Sequence, residues 1–223
     1  QSVAKARSEE LKMRKDGSES KNLTLELLTS KPIIYLYALG IFLYVGVEVG
    51  VANTIGFYLQ DKLQINDVLG AAAEAAQNTA ISNYWLGLLA GRFVGTAVLD
   101  KIPGKLAIKI YIGLAAAALY MAMTGDINQA LLAFPAIGFF ISIMFPTIYS
   151  LATNSFGKEY SSAISGILCT AIIGGAVIGP VMAWVAEANQ GTELVPNWDA
   201  GLLVAFACYA YIFVLGMFAK EEK

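Results

Sequence analysis

Two ionisable side chains stand inside long apolar runs: Glu48, in Tyr44-Val-Gly-Val-Glu48-Val-Gly50, and Arg92, in Gly91-Arg92-Phe-Val-Gly95. A charge at bilayer depth costs at least about 2.5 kcal/mol, so each needs a polar cavity or a partner. Glu48 is therefore either a ligand group or an acid, protonated or paired, that only packs helices. Tyr37, Tyr44 and Glu48 fall on one helical face. A carboxylate accepts hydrogen bonds from hydroxyl groups, and an aromatic ring can cover a pyranose face, so this face suits a hydroxyl-rich ligand. Asn53 lies about 140° away on an ideal helix. It joins that face only if the helix unwinds near Gly46 or Gly50. Two placements are open to Arg92. It can snorkel toward Lys101, about nine residues or some 14 Å along the helix, or it can turn inward and pair with Glu48.

A third group is Ser142-Ile-Met-Phe145-Pro146-Thr147-Ile-Tyr149. Pro146 has no N–H to offer, which frees the carbonyl of Ser142, and Ser142, Phe145 and Tyr149 share a face. Residues of these types suit ligand binding rather than covalent catalysis. Histidine is absent, which removes His-ligated haem, most His-based zinc sites and any Ser–His or Cys–His pair. Ser165-Gly166 has the form of the Ser-Gly element of intramembrane proteases but lacks a base of that type. No enzyme, cofactor, metal site or nucleic-acid partner is expected.

The elements that must position these residues are helices. Of the 223 residues, 57% are hydrophobic and only 14% are charged, against about a quarter charged in soluble domains. The apolar residues form blocks long enough to cross a bilayer, which takes about 20 residues of helix. Six spans are expected: Pro32–Gln60, Ser82–Leu99, Leu106–Thr124, Ile127–Thr153, Ser161–Ala186 and Trp198–Phe218. The Ala-rich run Leu69–Ser82 reads as extra helix leading into the second. Alternating ten-residue segments, which a membrane barrel needs, are missing. The fold expected is an all-α membrane bundle over residues 32–219, preceded by a cytoplasmic linker, 1–31, and followed by a tail, 220–223. Within the linker, Glu9–Lys15 suits a short surface helix stopped by Asp16-Gly17-Ser18. The polar opening has no signal-peptide pattern and fits a segment internal to a longer chain.

Positive charge falls on the linker, on Lys101, Lys105 and Lys109, on Lys158, and on Lys220 and Lys223. The opposite loops hold only Lys62 among Asp61, Asp67, Glu74, Asp126, Glu187, Glu193 and Asp199. Cytoplasmic loops are the ones enriched in Lys and Arg, so both termini are expected inside the cell. Trp85, Trp184 and Trp198 then sit near the outer interface, where Trp is enriched. Cys169 and Cys208 lie in apolar blocks and are expected to be free, buried thiols packing as small hydrophobes.

Spans one and four are the first helices of two successive triplets, and both carry helix-disturbing residues near mid-membrane. Transporters built from inverted three-helix repeats place broken helices at matching positions around a midplane site. Gly174-Gly175 and Gly179-Pro180 in span five are expected to mark close packing and a kink.

Four motifs, in order and in register, resemble the last six helices of the fucose–galactose–glucose:proton symporters of the major facilitator superfamily. They are Tyr44-Val-Gly-Val-Glu48-Val-Gly, Gly91-Arg92-Phe-Val-Gly-Thr, Phe145-Pro-Thr-Ile-Tyr-Ser-Leu-Ala and Ile172-Ile-Gly-Gly-Ala-Val-Ile-Gly-Pro180. The likeness covers nearly all of residues 32–218. It implies one half of a twelve-helix fold, with an N-terminal six-helix half as partner, a monosaccharide held between the halves, and protons driving uptake across a bacterial inner membrane. It also implies that Phe145 and Arg92 line the cavity and that Leu88, one turn before Arg92, is a lining position. Glu48 resembles the glucose/galactose branch, where the fucose branch has an amide, which implies sugar binding rather than proton carriage. The superfamily's loop motif is degenerate here, as Leu99-Asp-Lys-Ile-Pro-Gly-Lys105. The competing expectation is a scaffold or accessory six-helix subunit without transport of its own.

Overall fold

The computed structural model describes residues 23–62, 70–190 and 195–219. The expected helix over Glu9–Lys15, its stop at residues 16–18 and the tail 220–223 lie outside the described residues. The described chain is helical: α1 is Ile33–Lys62, α2 Gly70–Leu99 and α3 Gly104–Thr124. Next come α4, Ile127–Ile141, and α5, Met144–Ser155, followed by a single 3₁₀ turn at Lys158–Tyr160. The last three are α6, Ser161–Ala171, α7, Gly174–Ala188, and α8, Trp198–Phe218. Pro103 precedes α3 directly. Asp126 and Gln129 close a reciprocal capping box on α4 with two 2.9 Å bonds, which satisfies two end groups that a helix start otherwise leaves open.

Five stretches are long and apolar enough to cross a membrane: Ile33–Gln60, Gly104–Thr124, Ile127–Ser155, Ser161–Ala188 and Trp198–Phe218. Expected span two lies within α2, which is as long as α1. Gln77, Asn78, Asn83 and Arg92 dilute its apolar character, and it is not one of the five. The Ala-rich lead-in is continuous with it, as expected.

Helix α1 packs against α2, α5, α6, α7 and α8, while α3 is held between α4 and α8. Two glycine seams set the closest approaches. Along α2, Gly87, Gly91 and Gly95 recur every fourth residue. A Cβ on Gly87 would strike the Pro135 carbonyl, on Gly91 the Phe139 carbonyl, and on Gly95 the Ile143 side chain. In return, Gly138 of α4 lies against the Tyr84 carbonyl. Gly46 and Gly50 of α1 face Ile178 and Met182 of α7, and Gly174 rests on the Phe42 carbonyl. Without a hydrophobic force between helices in lipid, such small-residue contacts carry the association. Gly174 thus acts in packing, as its sequence suggested. The α2 seam was not anticipated, although its every-fourth-residue spacing is plain in the sequence.

The break expected in span four is present, and the one expected in span one is not. Span one is a single unbroken helix despite Gly46 and Gly50, and the interruptions fall in spans four and five. Between α4 and α5 the chain turns at Ser142–Ile143, four residues before Pro146. The Ser142 carbonyl loses its partner there, and the ladder resumes with Thr147 N–H donating to Ile143 O at 3.1 Å. Between α6 and α7 the turn is at Ile172–Ile173, ahead of the expected kink at Pro180, through which α7 runs on. Here the bonds shorten to i+3 spacing, from Ile172 N to Cys169 O at 3.3 Å through Ala176 N to Ile173 O at 2.9 Å. Gly174, which opens α7, lies on the Phe42 carbonyl and Gly175 on Val45 and Val49, and the helix tightens at that point.

Residues 23–30, assigned to the linker, are helical and docked on the bundle. Leu27 is fully buried, the Tyr160 hydroxyl donates to Glu26 Oε1 at 2.5 Å, and the Lys31 ammonium lies 3.8 Å from the Tyr160 ring centre. Both cysteines are free; Cys208 is buried as expected, whereas Cys169 is exposed on the outside of the bundle.

Candidate functional site

Arg92 turns inward. Its Nη2 lies 3.4 Å from Glu48 Oε1, which overturns the snorkelling alternative. The pair is asymmetric, with the arginine side chain 54% exposed and the glutamate 12%. The carboxylate is withdrawn into the bundle, while much of the guanidinium fork remains open for other acceptors.

Tyr44, one turn before Glu48, is buried, and its ring carries a hydroxyl with no hydrogen bond of standard length and angle. That hydroxyl is close enough to Glu48 and Arg92 to interact with both electrostatically. Tyr37 does not join this group. Its hydroxyl pairs with Ser155 Oγ at 2.7 Å at the far end of α5. Asn53 is also apart: with α1 continuous it stays around the helix from Glu48, exposed and beside Gly179 of α7. The unwinding that would have brought it to the Glu48 face does not occur, so Asn53 is removed from the site.

The turn between α4 and α5 supplies the remaining members. Phe145 and Tyr149 are half-buried and stack with ring centres 6.3 Å apart and planes 13° from parallel. The Tyr149 hydroxyl pairs with Ser165 Oγ at 2.5 Å, tying α5 to α6. Ser142 sits differently from its expected lining role. It is fully buried, donates to the Phe139 carbonyl at 2.7 Å, and lies against Gly91, the neighbour of Arg92. Leu88 is also buried. Both therefore shape the wall behind the site and do not face out of it. The contact at Gly91 is what brings the Arg92 turn of α2 against the hinge from which Phe145 follows.

Sequence reasoning passed over two residues. Tyr84 is fully buried and its hydroxyl donates to the Glu48 backbone carbonyl at 2.8 Å. Tyr209 of α8 is buried with an unpartnered hydroxyl near Tyr84. Tyr84, Leu88 and Arg92 follow one another at four-residue spacing, and this was the available signal for Tyr84. Nothing in the local sequence marks Tyr209.

A bundle with several helices long and apolar enough to cross a membrane, two of its spans broken and a half-open charged pair at its side is a multi-pass membrane protein of the kind transporters are built on. The sequence matches the profile of the Major Facilitator Superfamily over residues 3–180, and the chain belongs to that family. It is 36% identical over 191 residues to a protein of Brucella abortus biovar 1 named glucose/galactose transporter, with 85% of this chain and 43% of that one covered. It is 27% identical over 180 residues to the L-fucose-proton symporter of Escherichia coli K12, covering 81% of this chain and 38% of the relative. The chain thus spans under half the length of these relatives. Its fold matches the transporter FucP in the outward conformation with a TM-score of 0.76 and 23% identity, across 89% of this chain and 45% of FucP. These relatives and this fold are those of transporters, not enzymes.

Proposed function

We propose that this chain is the C-terminal half of a secondary active sugar transporter, taking up hexoses of the glucose/galactose kind with protons by alternating access. Its partner is an N-terminal six-helix half, and the sugar lies between the two. Span two completes six crossings, residues 1–31 link the halves, and both termini face the cytoplasm of a bacterial inner membrane. Supporting this are the relatives named for glucose/galactose and L-fucose transport, twice the length of this chain, and the asymmetric distribution of Lys among the loops.

The observation that carries the reading is the Glu48–Arg92 pair at 3.4 Å, buried on one side and open on the other. A carboxylate that accepts and a guanidinium that donates, held side by side, match adjacent hydroxyls of a sugar, each of which both donates and accepts. The stacked Phe145 and Tyr149 offer an apolar plane for the sugar ring. Tyr44, with a buried hydroxyl left over, completes the polar edge, and Leu88 and Ser142 support the wall.

The test is Glu48→Gln in the transporter assembled with its N-terminal half in proteoliposomes. The substitution keeps size and hydrogen-bonding capacity but removes the charge. Losing one charged hydrogen bond costs about 1.5–3 kcal/mol, or roughly ten- to a hundredfold in affinity. Sugar binding should weaken by that factor while sugar still drives proton uptake. Normal counterflow with accumulation abolished would make Glu48 the proton carrier. Absence of sugar counterflow in the wild type would end the sugar reading.

A further inference from the structure

We propose that Tyr84 is the positioning residue that sets Glu48 opposite Arg92. The inference deepens the sugar-site reading and rests on it for its effect on binding.

Helix α2 grips the middle of α1 at two points. Arg92 reaches the Glu48 carboxylate at 3.4 Å, and Tyr84, two turns earlier on the same face, donates to the Glu48 backbone carbonyl at 2.8 Å. Residues eight apart lie about 12 Å apart along a helix axis, so a single residue of α1 is held by both ends of a two-turn stretch of α2. Leu88, between them, is buried in the same interface. A side-chain ion pair alone fixes no register between α1 and α2, because both partners are flexible. The backbone carbonyl has no such freedom, and a hydroxyl fixed to it sets the axial register of α1 against α2 at Glu48.

Tyr84 can serve as a reference point because α2 is itself fixed on its other side. Gly138 of α4 is packed on the Tyr84 carbonyl and the Leu88 amide, and Gly87 and Gly91 are packed on the carbonyls of Pro135 and Phe139. The ring is locked as well, fully buried and edge-on to Trp85 with centres 5.5 Å apart. Register thus passes from α4 through the glycine seam to α2, and from Tyr84 to Glu48. The bond to the carbonyl is additional to the α1 ladder, since an unbroken helix already supplies that carbonyl with an i+4 amide. Tyr84→Phe therefore leaves no orphaned acceptor and a void of only one oxygen atom, and the bundle is expected to fold.

The experiment has a sugar-free arm and a sugar arm, both on the assembled transporter. In the first, thermal unfolding of Glu48→Gln, Arg92→Gln and the double variant gives the coupling between the two side chains. The same cycle is repeated with Tyr84→Phe present. Positioning predicts clear coupling in the first cycle and little in the second. In the second arm, glucose and galactose binding weakens about two- to tenfold in Tyr84→Phe, with no further loss when Tyr84→Phe is added to Glu48→Gln. A merely structural tyrosine would lower stability and leave the Glu48–Arg92 coupling unchanged. Unchanged coupling, or an affinity loss that simply adds to that of Glu48→Gln, overturns the inference. Coupling that depends on Tyr84 in a protein that binds neither sugar upholds the positioning and removes the sugar reading instead.

Discussion

The wall made by α1 and α2 and the wall made by α4 through α7 handle the membrane in opposite ways. Helices α1 and α2 run 30 residues each without interruption and carry the charges at depth, Glu48 and Arg92. The stretch from α4 through α5 carries no charged residue, that from α6 through α7 none before Glu187, and each is interrupted midway. An ion pair drawn out of water repays its desolvation only when its geometry is held closely, so it belongs on rods whose register is locked. Freed backbone carbonyls are tolerated where they are covered by protein or line a cavity, so a hinge can sit among aromatics that need no fixed distance. One wall is continuous and carries the ion pair; the other is interrupted and uncharged through its membrane depth.

The rigid wall should break most severely at its seams. Gly87→Val places its Cβ and branches into the Pro135 backbone carbonyl, which cannot move aside as a side chain can. Overpacking of this kind costs roughly 1–3 kcal/mol and more where backbone blocks relaxation; at this position about 3 kcal/mol or more is expected. Thermal unfolding in detergent and the yield of folded protein should both fall sharply. Gly113→Ala is the control, because nothing lies within 4 Å of a Cβ there, and it should be neutral or stabilising by up to about 1 kcal/mol. Equal stability of the two variants would remove the seam from the account of rigidity.

A smaller effect is expected when the lock is kept and only the fork is changed. Arg92→Lys preserves the charge beside Glu48 but loses the planar donors that point out of the bundle. Sugar affinity should fall about tenfold or more, within the range of one charged hydrogen bond, while thermal stability stays near that of the parent. Binding equal to wild type in Arg92→Lys would mean that the exposed side of the guanidinium faces no ligand, and the pair would then be a helix tie alone.

How much of this was legible in the residues depended on the length scale of the cause. Helical content and most of the spans follow from blocks of apolar side chains, a property of each stretch by itself. The inward turn of Arg92 was one of two open readings, because choosing between them required the distance to Glu48, 44 positions earlier. The interruption of span five at Ile172–Ile173 was not anticipated, since it goes with the contact of Gly174 on Phe42 of another helix, which the local sequence does not show. Gly46 and Gly50 read as weak points of α1 for the same reason; against α7 they are contact points that let a straight helix pack closely. Asn53 and Ser142 were grouped with the site by residue type, but the direction each faces is fixed by neighbours distant in sequence.

Ser142 provides the finest test of the contrast, because it stands where the two walls meet. Its residue type and its face, shared with Phe145 and Tyr149, mark it as a ligand hydroxyl. Its surroundings mark it as part of the hinge, for it is fully buried and donates to Phe139 O at 2.7 Å, the same carbonyl that lies against Gly91. Ser142→Ala removes the hydroxyl without adding bulk. A sugar contact predicts a loss of one neutral hydrogen bond, about 0.5–1.5 kcal/mol, seen as a two- to tenfold weaker affinity that differs among sugars lacking single hydroxyls. A hinge role predicts affinity unchanged within about twofold for every such sugar, with the effect appearing in the rate of exchange across the membrane. A hydroxyl that back-bonds to its own helix holds the turn at Ser142–Ile143 in one geometry, and its loss frees that turn to straighten or bend. Equilibrium binding of deoxy sugars beside counterflow rates, in the same preparation, separates the two. The burial favours the hinge: a hydroxyl already spent on Phe139 and closed off by Gly91 has neither the access nor the free donor that a sugar would need.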